Sequence, residues 1–250
     1  MNPQLERVAS EPARADILLD FDGTLSDIVA RPDLARPVAG AREALAALTG
    51  RYGMVAVISG RATEEVAALL DVPGVRYAGY YGAVGRGERV SDVVRDAVTA
   101  AVARVPGAWV EDKGSSLAAH YRQAPEPSAA REALLGPLGP VARQHGLDVL
   151  EGKKVLELVP RDRPRKGDAV QRLAREHGAR AVLFAGDDLA DLEAFDALDR
   201  MRDEGARTVK VAVRGREAWP ELLEAADLVV NSPAGLVELL RDLAASEHSP

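Results

Sequence analysis

The chain has 250 residues, no cysteine and a formal net charge of −7, a length that allows one large domain or a core carrying a smaller insert. The absence of cysteine excludes disulfides, thiolate metal sites and thiol nucleophiles, and the negative charge argues against a general nucleic-acid binder. Residues 1–14 are polar and charged and no apolar run is long enough to cross a membrane, so we expect a cytoplasmic protein with neither a membrane nor a nucleic acid as partner.

Strands and helices alternate through most of the chain. Continuous apolar runs predict buried strands at Ile17–Leu19, Met54–Ile58, Ala181–Ala185, Val209–Val213 and Leu228–Val230. Apolar residues at helical spacing predict helices at Ala39–Leu48 and Lys166–Glu176, and two more that begin at Thr63 and at Ser232-Pro233. This alternation predicts an α/β fold whose core is a Rossmann-like parallel sheet covered by helices.

The stretch between about residues 87 and 161 departs from that alternation. Helical patterns at Asp92–Arg104 and Ser128–His145 are interleaved with strand patterns at Trp109–Glu111, Leu117–Arg122, Leu147–Leu150 and Val155–Val159. An antiparallel sheet backed by two helices is therefore expected here, as an inserted α+β cap domain. We place the core at residues 1–86 and 162–250 and the cap at 87–161.

Proline and glycine mark the predicted connections. The cluster of Pro125, Pro127, Pro137 and Pro140 indicates turns and helix ends. Gly79, Gly82, Gly85 and Gly87 form no phosphate-binding fingerprint and instead predict a flexible hinge into the cap.

Polar side chains collect where the predicted core strands end. Ligands of open α/β sheets bind just outside the carboxyl ends of the strands, so these side chains are expected to meet. They are Asp20 and Asp22, Ser59 and Arg61, Lys166, and Asp187, Asp188 and Asp191.

Clustered acids repel one another unless some are protonated or a cation lies among them. Oxygen ligands without cysteine or a suitable histidine pair indicate a hard cation, most naturally Mg²⁺. A hydroxyl and an ammonium beside that cation can bind the oxygens of a phosphate. The residues therefore predict a phosphoryl-transfer site.

Four motifs resemble the signatures of the haloacid dehalogenase superfamily of phosphatases. They are Asp20-x-Asp22-Gly23-Thr24, Val57-Ile58-Ser59-Gly60-Arg61, Lys166-Gly167 and Gly186-Asp187-Asp188. The resemblance implies that Asp20 is the nucleophile and forms an aspartyl-phosphate, while Asp22 moves the proton. It further implies phosphate binding by Ser59, Gly60 and Lys166. The implied Mg²⁺ ligands are Asp20, the carbonyl of Asp22, and Asp187, with Asp188 or Asp191 in support.

The inserted cap resembles that of the trehalose-6-phosphate phosphatases, on the segments 110–122 and 151–158. This resemblance implies a phosphorylated disaccharide or glycoside substrate held by Glu111, Lys113, Arg122, Lys153 and Glu157. Strand alternation supports this role for Lys153 and Glu157, because the two side chains share a face opposite Leu156 and Leu158.

Two departures from the family pattern leave the substrate open. The chain has Tyr81-Gly82-Ala83-Val84 where the family commonly has His-Gly-Ala-Glu, and Ala190 where the fourth motif usually has Thr. A phosphatase of a related glycoside phosphate, such as glucosylglycerol phosphate, is therefore a rival. A catalytically idle sugar-phosphate-binding regulator and a phosphomutase are weaker alternatives, since the acids are intact and the insert lies late in the chain.

Some roles are left open by the sequence. Arg61 could contact phosphate or cap a helix, Asp191 could support the metal or lie on a helix surface, and His120 could bind sugar or be structural. Thr24 is expected to fasten the catalytic loop. The oligomeric state is unknown, with a monomer favoured.

Overall fold

A computed structural model describes residues 3–82, 88–215 and 217–246 of the chain. The chain divides into two compact units. One unit joins Met1–Ala83 with Pro164–Pro250, and the other is Val84–Arg163. The predicted α/β fold, with a parallel core sheet and a separate antiparallel sheet, is confirmed.

The elements of the described ranges follow in chain order. The strands are β1 (Ala15–Leu19), β2 (Met54–Ile58), β3 (Arg76–Ala78), β4 (Trp109–Asp112), β5 (Leu117–His120), β6 (Leu147–Gly152), β7 (Val155–Pro160), β8 (Ala181–Gly186), β9 (Arg207–Val213) and β10 (Leu228–Val230). The helices are α1 (Pro3–Ala9), α2 (Ala41–Thr49), α3 (Thr63–Leu70), α4 (Asp92–Val102), α5 (Pro127–Gln144), α6 (Lys166–His177), α7 (Ala190–Asp203), α8 (Pro220–Ala225) and α9 (Pro233–Ala245).

The first unit is built on a parallel sheet with strand order β10-β9-β8-β1-β2-β3. β1 lies inside this sheet and all of its residues are buried, because helices cover both of its faces. Ile17 and Leu19 belong to the hydrophobic core that includes α1, α2 and α9, while Leu18 faces the core that includes α6 and α7. Such two-sided burial explains why the strand reads as a continuous apolar run.

Strand register brings the predicted site residues to one edge of the sheet. Leu19 at the end of β1 pairs with Val57 of β2 on one side and with Ala185 of β8 on the other. The segments that follow these strands, from Asp20, Ser59 and Asp187, therefore begin at the same level of the sheet.

The second unit contains an antiparallel sheet with strand order β4-β5-β7-β6. Its core is formed by alternate strand residues, including Leu117, Leu156 and Leu158, packed with apolar residues of α4 and α5. Among the helices of the described ranges, none has the length and apolarity needed to span a bilayer.

Pro137 and Pro140 lie inside α5, so the expectation that they mark turns or helix ends was wrong. Both are exposed, whereas Leu134 and Leu138 of the same helix are buried in the core of the unit. The packing of this apolar stripe outweighs the hydrogen bonds that the prolines remove.

Several local expectations can be compared directly with the structure. The predicted start of α9 is confirmed, since Ser232 Oγ accepts a hydrogen bond from the amide of Gly235 at 3.1 Å and Pro233 is the first helical residue. The strand β3 and the helices α1, α7 and α8 were not predicted. Val84, Gly85 and Gly87 of the predicted hinge lie outside the described residues.

Candidate active site

Asp20 and Lys166 form a buried ion pair at the carboxyl edge of the core sheet. Asp20 directly follows β1, and its amide donates to the carbonyl of Ala185 at 2.9 Å. Lys166, the first residue of α6, places its Nζ 2.8 Å from Asp20 Oδ1 and 2.5 Å from Asp191 Oδ1. These three side chains are less than a tenth exposed. Their charges interact in a site largely shielded from water, where electrostatic interactions are strong.

Asp191 organises the loop that carries Asp187. Its Oδ2 accepts the backbone amides of Asp187 and Asp188 at 2.8 and 2.9 Å, while its other oxygen accepts from Lys166. Asp187 is held from the other side by the hydroxyl of Thr24, at 3.0 Å. Thr24 thus links the loop that follows β1 to the loop that carries Asp187.

Gly23 is required by this arrangement. It has a φ of 83°, and a Cβ atom at this position would lie 1.9 Å from Asp187 Oδ2. Any side chain here would both strain the backbone and displace the Asp187 carboxylate. The Asp-x-Asp-Gly-Thr motif therefore uses its glycine to let two loops approach each other.

The acids at this edge fit a hard divalent cation. In the described part of the chain, carboxylate oxygens of Asp20, Asp187 and Asp191 come within 4.8 Å of one another, and all three residues are buried. Hard cations such as Mg²⁺ prefer oxygen ligands of this kind. Because Asp191 also binds two backbone amides and Lys166, it is better placed to orient the others than to act as a ligand alone.

Burial and neighbouring charges set the protonation of the pair. Burial, together with the charges of Asp191 and Asp187, raises the pKa of the Asp20 carboxyl well above its ordinary value, against the opposing effect of Lys166. Burial acts to lower the pKa of Lys166, but the carboxylates of Asp191 and Asp20 outweigh it and hold that pKa well above normal. Lys166 is therefore a permanent cation beside Asp20.

Asp22 is held by Arg61. The guanidinium donates from Nε to Asp22 Oδ2 at 2.7 Å and from Nη2 to Asp22 Oδ1 at 2.8 Å. Nη2 also donates to the carbonyl of Pro32 at 2.8 Å, and Nη1 contacts Glu65. The Arg61 side chain is 8% exposed, whereas that of Asp22 is 38% exposed. Arg61 thus binds Asp22 and Glu65, a role that was not considered from the sequence, while its contact with phosphate stays a prediction.

Ser59 lies beside these residues at the end of β2. It is buried, its amide donates to the carbonyl of Ala78 at 3.1 Å, and its hydroxyl accepts from the amide of Arg61 at 3.2 Å. The hydroxyl is therefore oriented by the loop that continues to Gly60.

The residues predicted to hold a sugar form linked pairs within the second unit. Glu157 accepts hydrogen bonds from Lys113 Nζ at 3.1 Å and from Ser116 Oγ at 2.6 Å. Glu111 Oε2 lies 2.8 Å from His120 Nε2, whose ring stacks on Trp109 with 4.1 Å between centroids. A further contact joins Arg122 Nη2 to the carbonyl of Lys153 at 2.7 Å.

Comparison with known proteins decides the family. A family model described as trehalose-phosphatase matches residues 18–226. The chain belongs to the trehalose-phosphatase family. A trehalose-phosphate phosphatase of Mycobacterium avium is 35% identical over 247 residues, which cover 91% of this chain and 61% of that protein. The chain therefore spans about three fifths of the length of this curated relative.

Solved structures show the same relationship at the level of the fold. The C-terminal domain of a Candida albicans trehalose-6-phosphate phosphatase is 25% identical, with a TM-score of 0.81, and the match covers 99% of this chain and 98% of that one. A haloacid dehalogenase-like hydrolase from Bacteroides thetaiotaomicron is 18% identical, with a TM-score of 0.59, over 92% and 97% of the two chains. The latter shows that the family shares the haloacid dehalogenase fold.

Within this trehalose-phosphatase family member, the two residues considered for support of the metal have different surroundings. Asp191 lies with Asp20 and Asp187 in the buried acidic cluster of the described residues. The Oδ1 atom of Asp188 accepts from the amide of Leu189 at 2.8 Å and from the indole of Trp219 at 2.7 Å. A role of Asp188 as a metal ligand stays a prediction.

Four residues near the predicted sites were missed by sequence reasoning. Trp219 binds Asp188, Ser116 binds Glu157, Trp109 stacks on His120, and Tyr81 lies near Lys166. Of these four, only Tyr81 could have been found from the sequence, because it stands where the family commonly has a histidine.

Proposed function

We propose that this protein hydrolyses trehalose 6-phosphate to trehalose and inorganic phosphate. The observation that carries the proposal is the burial of Asp20 between Lys166 and two further carboxylates, Asp187 and Asp191. This is the arrangement expected for a carboxylate that attacks a phosphate. Membership of the trehalose-phosphatase family supports the choice of substrate.

In the proposed first step, a carboxylate oxygen of Asp20 attacks the phosphorus and the bond to the sugar oxygen breaks. Asp22 gives its proton to the departing sugar oxygen, so that the alcohol leaves neutral. Ser59, the Gly60 amide and Lys166 would bind the phosphoryl oxygens and stabilise their charge.

The second step returns the protein to its starting state. Asp22, now ionised, takes a proton from water as the water oxygen attacks the phosphorus of the aspartyl-phosphate. The bond to Asp20 breaks, inorganic phosphate leaves, and Asp20 is again a free carboxylate. Before either step, Asp22 has to exchange its contact with Arg61 for one with the reacting oxygen.

We propose that Mg²⁺ binds to the carboxylates of Asp20 and Asp187 and to the carbonyl of Asp22, with Asp191 in support. When bound, such a cation neutralises charge on the transferring phosphoryl group and reduces its repulsion from Asp20. Of the two supporting residues considered, the contacts of the side chains favour Asp191 over Asp188.

We assign sugar recognition to Glu111, Lys113, Arg122, Lys153 and Glu157 of the second unit. Sugars present both donors and acceptors, and the ion pair of Lys113 with Glu157 offers both within 3.1 Å. The family resemblance supports this assignment.

A panel of phosphate esters tests the reaction and the substrate together. We expect Mg²⁺-dependent phosphate release from trehalose 6-phosphate at least about tenfold faster, in kcat/KM, than from glucose 6-phosphate. Preference for glucosylglycerol phosphate would support the rival substrate, which the replacement of histidine by Tyr81 favours. Equal turnover of all simple hexose phosphates would contradict the proposed specificity.

The mechanism is tested by Asp20→Asn. Because the amide is a poor nucleophile, we expect phosphate release to fall by about 10³-fold or more. The matched control is Asp27→Asn, which removes an exposed carboxylate a short distance along the chain and should leave the rate unchanged. An active Asp20→Asn enzyme would exclude Asp20 as the nucleophile.

A further inference from the structure

Tyr80 and Tyr81 adopt an unusual backbone conformation next to the candidate site. Their φ angles are 49° and 55°, in the left-handed region that side chains other than glycine rarely occupy. Each such residue is held in a strained backbone conformation. Local contacts must therefore hold these two consecutive aromatic residues in this conformation.

The strained turn is fixed by hydrogen bonds to the phosphate-binding loop. The amide of Tyr80 donates to the carbonyl of Arg61 at 2.8 Å, and the amide of Tyr81 donates to the carbonyl of Ser59 at 2.9 Å. On the other side, Arg172 donates to the carbonyl of Gly82 at 2.8 Å. The backbone of Tyr81 is thus held directly against the Ser59-Gly60-Arg61 loop.

The side chain of Tyr81 extends between two of the predicted phosphate-binding residues. Its hydroxyl lies 2.9 Å from the position that a Cβ on Gly60 would occupy. Its ring centroid lies 5.5 Å from Lys166 Nζ, and Phe184 approaches the same ammonium at 5.9 Å. An aromatic ring at this distance attracts a cation and limits its contact with water. The phenol therefore spans the gap from Lys166 to Gly60.

We propose that Tyr81 is a phosphate-binding residue whose hydroxyl donates to the phosphoryl group of the substrate and to the inorganic phosphate product. This inference rests on the proposed function, because it takes the Ser59, Gly60 and Lys166 cluster as the phosphate site. The strained turn then serves to hold a rigid phenol donor beside Gly60 and Lys166. The family commonly has a histidine at the position of Tyr81.

Equilibrium binding of inorganic phosphate, measured by titration calorimetry in the presence of Mg²⁺, tests the inference. Tyr81→Phe keeps the ring over Lys166 and removes only the hydroxyl. We expect phosphate to bind about 10- to 100-fold more weakly, the effect of losing one hydrogen bond to a charged ligand. Inhibition of the enzyme by unphosphorylated trehalose should not change. Unchanged phosphate affinity in Tyr81→Phe would overturn the proposal.

A second variant separates binding from a structural role. Asparagine tolerates the left-handed conformation better than tyrosine, so Tyr81→Asn should unfold at the same or a higher temperature while binding phosphate more weakly. A lower unfolding temperature with unchanged phosphate affinity would show that Tyr81 is structural, and would overturn the proposal. Tyr77→Phe is the matched control, since the Tyr77 hydroxyl contacts the backbone of Val72 instead.

The result is distinguishable from a failure of the proposed function. A wild-type protein that releases no phosphate from any ester, yet loses phosphate affinity on Tyr81→Phe, would contradict the phosphatase reaction and support the phosphate site. If the wild type releases phosphate and Tyr81→Phe binds inorganic phosphate equally well, only the role of Tyr81 is contradicted.

Discussion

At the scale of a single residue, Arg61 controls the orientation of the Asp22 carboxyl group. Both oxygens of Asp22 accept hydrogen bonds from its guanidinium, which fixes the direction in which that carboxyl points. If Arg61 holds Asp22 beside the site until Asp22 turns to the reacting oxygen, removal of Arg61 should matter most when the leaving group needs a proton. A sugar alcohol needs one, whereas p-nitrophenolate leaves readily without it.

We therefore predict that Arg61→Gln lowers kcat/KM, which reports transfer of the phosphoryl group to Asp20 and not the later attack by water, by about 10- to 100-fold for trehalose 6-phosphate and by no more than about threefold for p-nitrophenyl phosphate. Steady-state kinetics on the two substrates provide the check. Glu65→Gln is the control, because Glu65 contacts Arg61 but not Asp22 in the structure. Equal losses on both substrates would assign Arg61 to general folding of the site.

The sequence predicted Asp20, Lys166 and Asp187 as a group because parallel strands end at one edge of a sheet. The contact of Arg61 with Asp22 could not be predicted in the same way. The two residues are 39 positions apart in the chain, and their contact depends on how the irregular segment between β1 and α2 folds. Asp191 was ambiguous for a related reason, since its role appears only when its oxygens are seen to bind backbone amides.

At the scale of an element, α5 shows how a helix accommodates internal proline. Each proline follows a glycine, as Gly136-Pro137 and Gly139-Pro140. A Cβ on the residue before proline clashes with the proline ring in helical geometry, and glycine has no Cβ. The pattern that suggested turns is thus compatible with a helix, provided that its apolar stripe is buried.

A double-mutant cycle measures this compensation. Pro137→Ala should stabilise α5 by about 1 kcal/mol or more, because the exposed site regains an amide donor. Gly136→Ala alone should destabilise it, although a Cβ at Gly136 would meet nothing within 4 Å apart from its chain neighbours. In the Pro137→Ala background, Gly136→Ala should instead stabilise by about 0.5–1 kcal/mol. Urea unfolding of the four proteins gives the values, and additive effects would refute the coupling.

At the scale of the whole molecule, β1 and α6 are joined by acid–base pairs at both ends. Asp20 meets Lys166 at the site, and at the opposite end Asp16 Oδ1 lies 2.7 Å from His177 Nδ1. Asp16 is fully buried, and this burial raises its pKa from 3.8 to about 6, against the opposing effect of His177. Neither residue could be singled out from the sequence, because Asp16 lies within an apolar strand and His177 lies at the end of a helix.

The raised pKa has a defined effect on stability. Between pH 4 and 6 folded Asp16 keeps a proton that the unfolded chain has lost, so its contribution to stability is complete below pH 4 and is lost as the pH rises through about 6. We predict that Asp16→Asn raises the free energy of unfolding at pH 8 by roughly 1–3 kcal/mol and flattens its dependence on pH between 4 and 6.

Urea unfolding across this pH range tests the prediction. His177→Gln is the companion variant, since it removes the imidazole that lies 2.7 Å from the buried carboxylate and should lower stability at neutral pH. A loss of stability at pH 8 in Asp16→Asn would mean that the ionised pair is favourable in the fold.

The acidic cluster should also affect the stability of the fold when no cation is bound. Asp20, Asp187 and Asp191 bring three carboxyl groups together in the described part of the chain, and carboxylates this close repel one another when they are ionised. A chelator should then lower the unfolding temperature by about 5 °C, since a ligand at a hundred times its Kd stabilises a fold by about 2.7 kcal/mol. In Asp20→Asn, which carries one charge fewer, the chelator should have a smaller effect. Scanning calorimetry with and without EDTA measures this difference in unfolding temperature. It would show whether a cation held by the carboxylates of the proposed phosphate site also stabilises the folded core.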